Sequence, residues 1–367
     1  LLIVQNSEDL EDETGSEEEL SEETSQFFKK IPVNKKQPPN VDLDTAVVCL
    51  DSHPSENILA AACLDGSVKL IKYDEESSCI LNTCTSFKKS CRGVSFSSAG
   101  DLLLSASKSK CIKLTDVEKC MDKWKLTNAH DASIYSVLMI NDVLCATGDD
   151  DGAVKLWDFR SHKECMLFKD IEEYISCMIV SEGKRNLVCS SGEGTITAYN
   201  FRGKRLEVQS EVYQAELTTV ALVRDDTKLL VGSSDGIIYI FNWGEFGYHS
   251  DKFIGHPDSV TCLSTIASHL VISGSEDGIL RCLNVFPHKL IGVVGEHQKF
   301  GVDSMCVDHD YQMVMTSSLD NKIRFWNIQD LKDKEITCKS KSNPRLQLKS
   351  SNRQNRGDFF QEMLDDE

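Results

Sequence analysis

Apolar residues along this chain fall into runs of strand length, set apart by turns rich in Asp, Gly and Ser. The clearest stretch runs from His130 to Asp158. Two apolar runs, Tyr135 to Ile140 and Val143 to Thr147, precede the acidic turn Asp149-Asp150-Asp151-Gly152 and a third run in which Val154 and Leu156 alternate with Lys155. Alternation with period two puts apolar side chains on one face of a strand, so the stretch predicts three antiparallel strands. Asp151-Gly152 supplies the hairpin, because glycine enters the left-handed region without steric cost and aspartate tolerates the turn.

The same pattern recurs through the chain. Third-strand ends align at Tyr73, Thr115, Trp157, Tyr199, Phe241, Leu283 and Trp326, spaced by 42 residues, with 43 before the last. A turn position lies six residues before each of the last six and eight before Tyr73, and at five of the seven turns a glycine follows it: Gly66, Gly152, Gly194, Gly236 and Gly278. A four-stranded repeat of this length cannot bury its apolar face alone, so copies must stack around an axis and close. Seven copies predict an all-β, seven-bladed β-propeller over residues 40–338. Two segments compete for the outer strand of the last blade, Asn40 to Leu43 and Lys334 to Cys338. The N-terminal segment is favoured, because joining both chain ends in one sheet locks the ring and removes an open edge.

Charge separates the tails from this domain. The net charge is −18, and residues 1–26 hold ten acids and no Lys or Arg. Such a segment cannot bury enough apolar surface to offset chain entropy, so residues 1–39 are expected to form a disordered acidic tail and linker. Residues 339–356 carry Lys and Arg without an acid, and Asp358-Phe359-Phe360 leads to the acidic end, which predicts a flexible tail with Phe359 and Phe360 as a candidate partner motif. No apolar run approaches the length of a membrane helix. The fifteen cysteines include no C-x-x-C pair and fall in strand-like runs, which points to a reducing compartment and packing roles.

The sequence contains no P-loop, zinc-protease or complete dinucleotide fingerprint, and Gly93 to Ser97 lacks the last glycine of a nucleophile elbow. No cofactor, metal or catalytic residue is expected, and function falls to the surface. Lys184, Arg185, Arg202, Lys204 and Arg205 form a local basic cluster that could meet RNA phosphates, although the overall acidity makes direct nucleic-acid binding the lesser expectation. Trp243 and Phe246, in a Gly-rich loop, either stand out as a partner contact or fold back on the wall.

Trp157-Asp158, at the end of the best-formed copy, is the dipeptide for which WD-repeat proteins are named, and the chain resembles that family. The resemblance implies a buried hydrogen-bonded tetrad of His130, Thr147, Asp151 and Trp157, with a second set at His297, Thr316, Asp320 and Trp326. Trp157-Asp158-Phe159-Arg160 also resembles a box by which some propellers dock on the adaptor of cullin-RING ubiquitin ligases, with Asp158 and Arg160 as contacts. Residues outside the general consensus, among them Glu172-Glu173-Tyr174-Ile175, Phe241-Asn242-Trp243 and Asp358-Phe359-Phe360, resemble a nucleolar group within the family. That group would have His where Asp170 stands. This resemblance implies a monomeric scaffold in the nucleus and nucleolus, with the cytoplasm as a further compartment, that holds pre-ribosomal proteins and affects ribosomal RNA synthesis or processing.

Overall fold

The computed structural model describes residues 37–329 and Leu331, apart from residues 182, 184, 224, 225 and 299. The tail residues Phe359 and Phe360, the basic residue Lys184 and the segment 334–338 lie outside the described residues. Among the described residues, twenty-eight strands form seven four-stranded antiparallel sheets. Blade 1 is built from Val47–Ser52, Ile58–Cys63, Ser67–Tyr73 and Ser78–Ser86, and the following blades repeat that order from the axis outward. In blade 7 the order is completed from the other end of the chain. Val41–Asp42 pairs with Lys322–Asn327, Val41 opposite Ile323 and Asp42 opposite Lys322, so the N-terminal strand closes the ring.

Stability lies between the sheets. Leu59, Ile71 and Tyr73 of blade 1 pack with Met315, Ile323 and Phe325 of blade 7, beside Val41 and Leu43. Burying side chains of this size contributes roughly 1.5–3 kcal/mol each. The seam also carries a buried hydrogen bond of 2.5 Å from the Tyr73 hydroxyl to Asp308. The turn between second and third strands has the same handedness in every blade. Glycines hold φ between 76° and 89° at five of them, and Lys110 and Asn321 hold 63° and 60° at the other two. A Cβ on Gly152 would lie 2.2 Å from the Ile171 carbonyl oxygen, which explains the preference there.

A second regularity concerns the axis. Each inner strand has a register shift near its start, between Val47 and Cys49 in blade 1 and at the matching place in every other blade. The residue inside each shift is, in order, Val48, Arg92, Tyr135, Ser176, Thr218, Thr261 and Asp303. A bulge re-aims one side chain. All but Arg92 line a cavity of about 330 Å³ on the axis.

Candidate interaction faces

Polar groups inside the blades are bound to one another in hydrogen-bonded sets. In blade 3, His130 Nε2 lies 2.6 Å from Thr147 Oγ1, and Trp157 Nε1 donates to the same oxygen at 2.8 Å. The acid that completes the set is Asp149, whose Oδ2 is 2.9 Å from His130 Nδ1. The expectation of Asp151 is therefore corrected: Asp151 is exposed, whereas Asp149 is buried at the strand end. The cause is one substitution between copies. Blades 2, 4, 5, 6 and 7 have Ser107, Ser191, Ser233, Ser275 and Ser318 at that place. Asp149 reaches the histidine directly and also accepts the turn N–H of Ala153 at 2.7 Å. Burial alone would raise its carboxyl, but the hydrogen bonds from His130, Ala153 and Asp151 outweigh this and hold it below the usual carboxylate range.

Blades 6 and 7 use the turn aspartate, yet give it a different partner. Asp277 takes Arg281 Nη2 at 2.5 Å, and Asp320 takes Arg324 Nη2 at 2.8 Å. His297 keeps Thr316 at 2.7 Å, and Trp326 donates to Thr316 at 2.9 Å, while Asp320 stands 3.5 Å from His297 Nδ1. His256 keeps Ser273 at 2.7 Å. Burial first, and the neighbouring arginine second, lower the pKa of both histidines, to about 4 for His256.

Each blade presents two ends to solvent. The end reached by the loops entering the blade also carries the turn between second and third strands. From residue 171 to residue 258 the loops and turns on this entry face carry acids including Glu173, Glu193, Glu211, Glu216, Asp235 and Asp258, and no Lys or Arg. The axial cavity opens here. Leu64 and Leu319 stand at its rim, 56% and 59% exposed, opposite the tilted ring pair Tyr135 and Tyr174, whose centroids are 4.9 Å apart. The opposite, exit face carries Arg185, Arg202, Lys204 and Arg205, all exposed. A second cavity of about 470 Å³ opens there, lined by Asp51, His53, Asp308 and His309. Burial pushes the Asp51 carboxyl up to about 6, against hydrogen bonds from the N–H groups of Phe96 and Ser52.

These polar groups of the exit cavity are bound to one another or to the backbone. Asp308 accepts from Tyr73 and from His309 at 2.8 Å, and His53 meets the Gly100 carbonyl at 3.1 Å. Among the described residues, no group of three His, Cys, Asp or Glu converges to hold a metal ion.

A family model described as WDR55 matches residues 38–331. The chain belongs to the WDR55 family. Among similar proteins, the WD repeat-containing protein 55 homolog of Aedes aegypti is 36% identical over 97% of this chain and 77% of its own length. The homologs of Drosophila ananassae and Drosophila melanogaster are 35% and 34% identical, over 97% and 95% of this chain and 76% and 70% of theirs. In fold, the chain is similar to the crystal structure of the WD40 β-propeller domain of Doa1, with a TM-score of 0.70 at 17% identity over 80% of this chain and 96% of that one.

On this WDR55-family propeller the remaining surface candidates separate. Phe246 is only 1% exposed and meets the half-buried Trp243 edge-on at 5.2 Å within the core between blades 4 and 5. The loop folds back, so Phe246 is not a partner contact, and Trp243 serves mainly to cover it. Its Gly-rich, polar context hid this, since only the burial of the two rings against Val220 and Phe241 distinguishes it from an exposed loop. Arg160 extends from blade 3 with its side chain 76% exposed, and Asp158 accepts its Nη2 at 3.1 Å. Asp303 carried no mark in the sequence, where it stands beside Ser304 in the otherwise apolar run from Val302 to Val307. The bulge that places it on the axis beside its six counterparts is what sets it apart.

Proposed function

We propose that this chain is a non-catalytic scaffold that holds protein partners of ribosome assembly in the nucleolus and so affects ribosomal RNA synthesis or processing. The observation that carries the reading is the WDR55-family match over the whole propeller, taken with the resemblance of its loops to the nucleolar group. What the ring offers a partner fits that role. Its buried hydroxyl, imidazole and carboxylate groups in blades 3, 6 and 7 are engaged in holding strands together, and a group so engaged is not available for proton transfer. Exposed apolar and acidic groups gather at the entry face, while the exit face offers Arg185, Arg202, Lys204 and Arg205. The latter set suits contact with a phosphate backbone alongside a protein partner.

A second reading, a substrate receptor of a cullin ubiquitin ligase, draws on the exposed Arg160 after Trp157-Asp158. One experiment separates the two. The tagged full chain and its Arg160→Ala variant are recovered from nuclear extract with and without ribonuclease, and partners are quantified by mass spectrometry. Ribosome-assembly proteins retained by both forms support the scaffold. A cullin adaptor present with wild type and lost from Arg160→Ala would replace it with the receptor.

A further inference from the structure

The seven bulge residues on the axis do not all serve the ring. Ser176 donates its hydroxyl to the Leu217 carbonyl of the next blade at 2.5 Å, and Thr218 and Thr261 do the same to Val260 and Val302. Arg92 lies 5.3 Å from the centroid of the Tyr135 ring and gives its charge to Asp150 at 2.6 Å. Each of these polar groups is tied to a neighbour. Asp303, at the next place after Thr261, breaks the series, because a carboxylate cannot donate to a carbonyl. Its Oδ2 is shielded from solvent and has no hydrogen-bond partner among the described residues.

The surroundings favour positive charge. Burial first, then the nearby carboxylates of Asp320 and Glu276, push the Asp303 carboxyl up to about 6, and Arg92, the one cation among the seven bulge residues, is already held by Asp150. Above the carboxylate stand apolar walls. Leu64, Leu319 and Val48 form one side of the mouth, and Tyr135 and Tyr174 the other. Tyr174 donates to Glu216 at 2.8 Å, which keeps a further negative charge at the rim. A cavity of about 330 Å³ is at the small end of binding pockets, large enough for one long side chain. A long alkyl stem covers apolar surface while its charged end seeks an opposite charge, and this mouth offers both in the right order.

We propose that the axial mouth on the entry face takes a lysine or arginine side chain from a basic segment of a partner protein, with Asp303 as its counter-ion. The proposal rests on the scaffold reading and adds the chemistry of what is held. A basic segment is drawn to the face by the acids of blades 4 and 5, and the mouth then selects one cationic side chain. Loss of the charge at Asp303 should weaken binding most, since a charge-assisted contact shielded from water is stronger than one at a solvated rim.

The test uses the full chain with labelled leucine and valine methyl groups, followed by NMR. Three blocked pentapeptides, Gly-Ala-X-Ala-Gly with X as arginine, lysine or glutamine, are the probes. The arginine or lysine peptide should shift the Leu64, Leu319 and Val48 methyls with saturation, and the glutamine peptide should not. Asp303→Asn should weaken that binding by at least about fivefold. Asp303→Ser, which restores the hydroxyl found at Ser176, should keep the fold and lose the binding equally. Asp151→Asn, on the same face but outside the mouth, should leave it unchanged. The proposal is overturned if neither cationic peptide moves those methyls, if glutamine does so equally, or if a folded Asp303→Ser binds like wild type. Should the scaffold reading alone fail, the peptides still bind and the extract yields no ribosome-assembly partner.

Discussion

Blades 3 and 6 each set a buried histidine beside a hydroxyl, and then use their acids differently. In blade 3 the acid is Asp149, at the strand end, and it joins His130, Thr147 and Trp157 in one network. In blade 6 the acid is Asp277, on the turn, and it binds the buried Arg281, leaving His256 Nδ1 without a hydrogen-bond partner among the described residues. Arg281 lies opposite Ser273 in the sheet, where blade 3 has Lys155 opposite Thr147. Lys155 reaches away to the Ala129 carbonyl and Glu164, so it does not compete for the acid. Two positions differ between these blades, Asp149 against Ser275 at the strand end and Lys155 against Arg281 on the third strand, and together they decide which group the acid serves. It also shows that a repeat can retain its conserved-looking letters while its hydrogen bonds change.

The largest effect should come from breaking the blade 6 ion pair. Asp277→Ala leaves the Arg281 charge buried and unpaired, and should cost about 3–5 kcal/mol in urea unfolding. Asp149→Ala opens the blade 3 network and should cost about 2 kcal/mol, with amide exchange accelerating first in blade 3. Acid sharpens the contrast. His256 has a folded pKa of about 4, below the ordinary value of 6.5, so the unfolded chain binds the proton more readily. Stability from this group is complete above pH 6.5 and declines as pH falls toward 4, by on the order of 2 kcal/mol at pH 5. His256→Gln should flatten the decline in melting temperature over that window. Asp149 acts in the same direction, since a depressed carboxyl loses its contribution as pH falls through its folded pKa. The smallest effect belongs to Asp151→Asn, within roughly 0.5 kcal/mol, because that side chain is exposed. A cost near that of Asp149→Ala would restore Asp151 to the network.

Much of the ring was legible because its signals are local and repeated. The third-strand ends, the turn glycines and the alternation around Val154 and Leu156 each constrain a few neighbouring residues, and seven copies reinforce one another. Closure through Val41 could be argued from the chain ends, and the pairing with Ile323 bears it out. Side-chain choices were harder. Asp149 and Asp151 lie two residues apart, and which one turns inward depends on the strand register and on a serine replaced by aspartate. Phe246 sits in a polar, Gly-rich stretch, and its burial depends on contacts with residues distant in sequence. Asp303 became visible only once the bulges put one residue from each inner strand on the axis.

The polar groups of the ring divide into those that hold blades together and those left for a partner, and Asp303→Ser tests that division most directly. The measurement is recovery of nuclear protein partners by the ribonuclease-treated full chain and by this variant, with melting temperature recorded alongside. This division predicts an unchanged melting temperature and a clear loss of protein partners recovered with wild type. Equal recovery of those partners by the folded variant would contradict it.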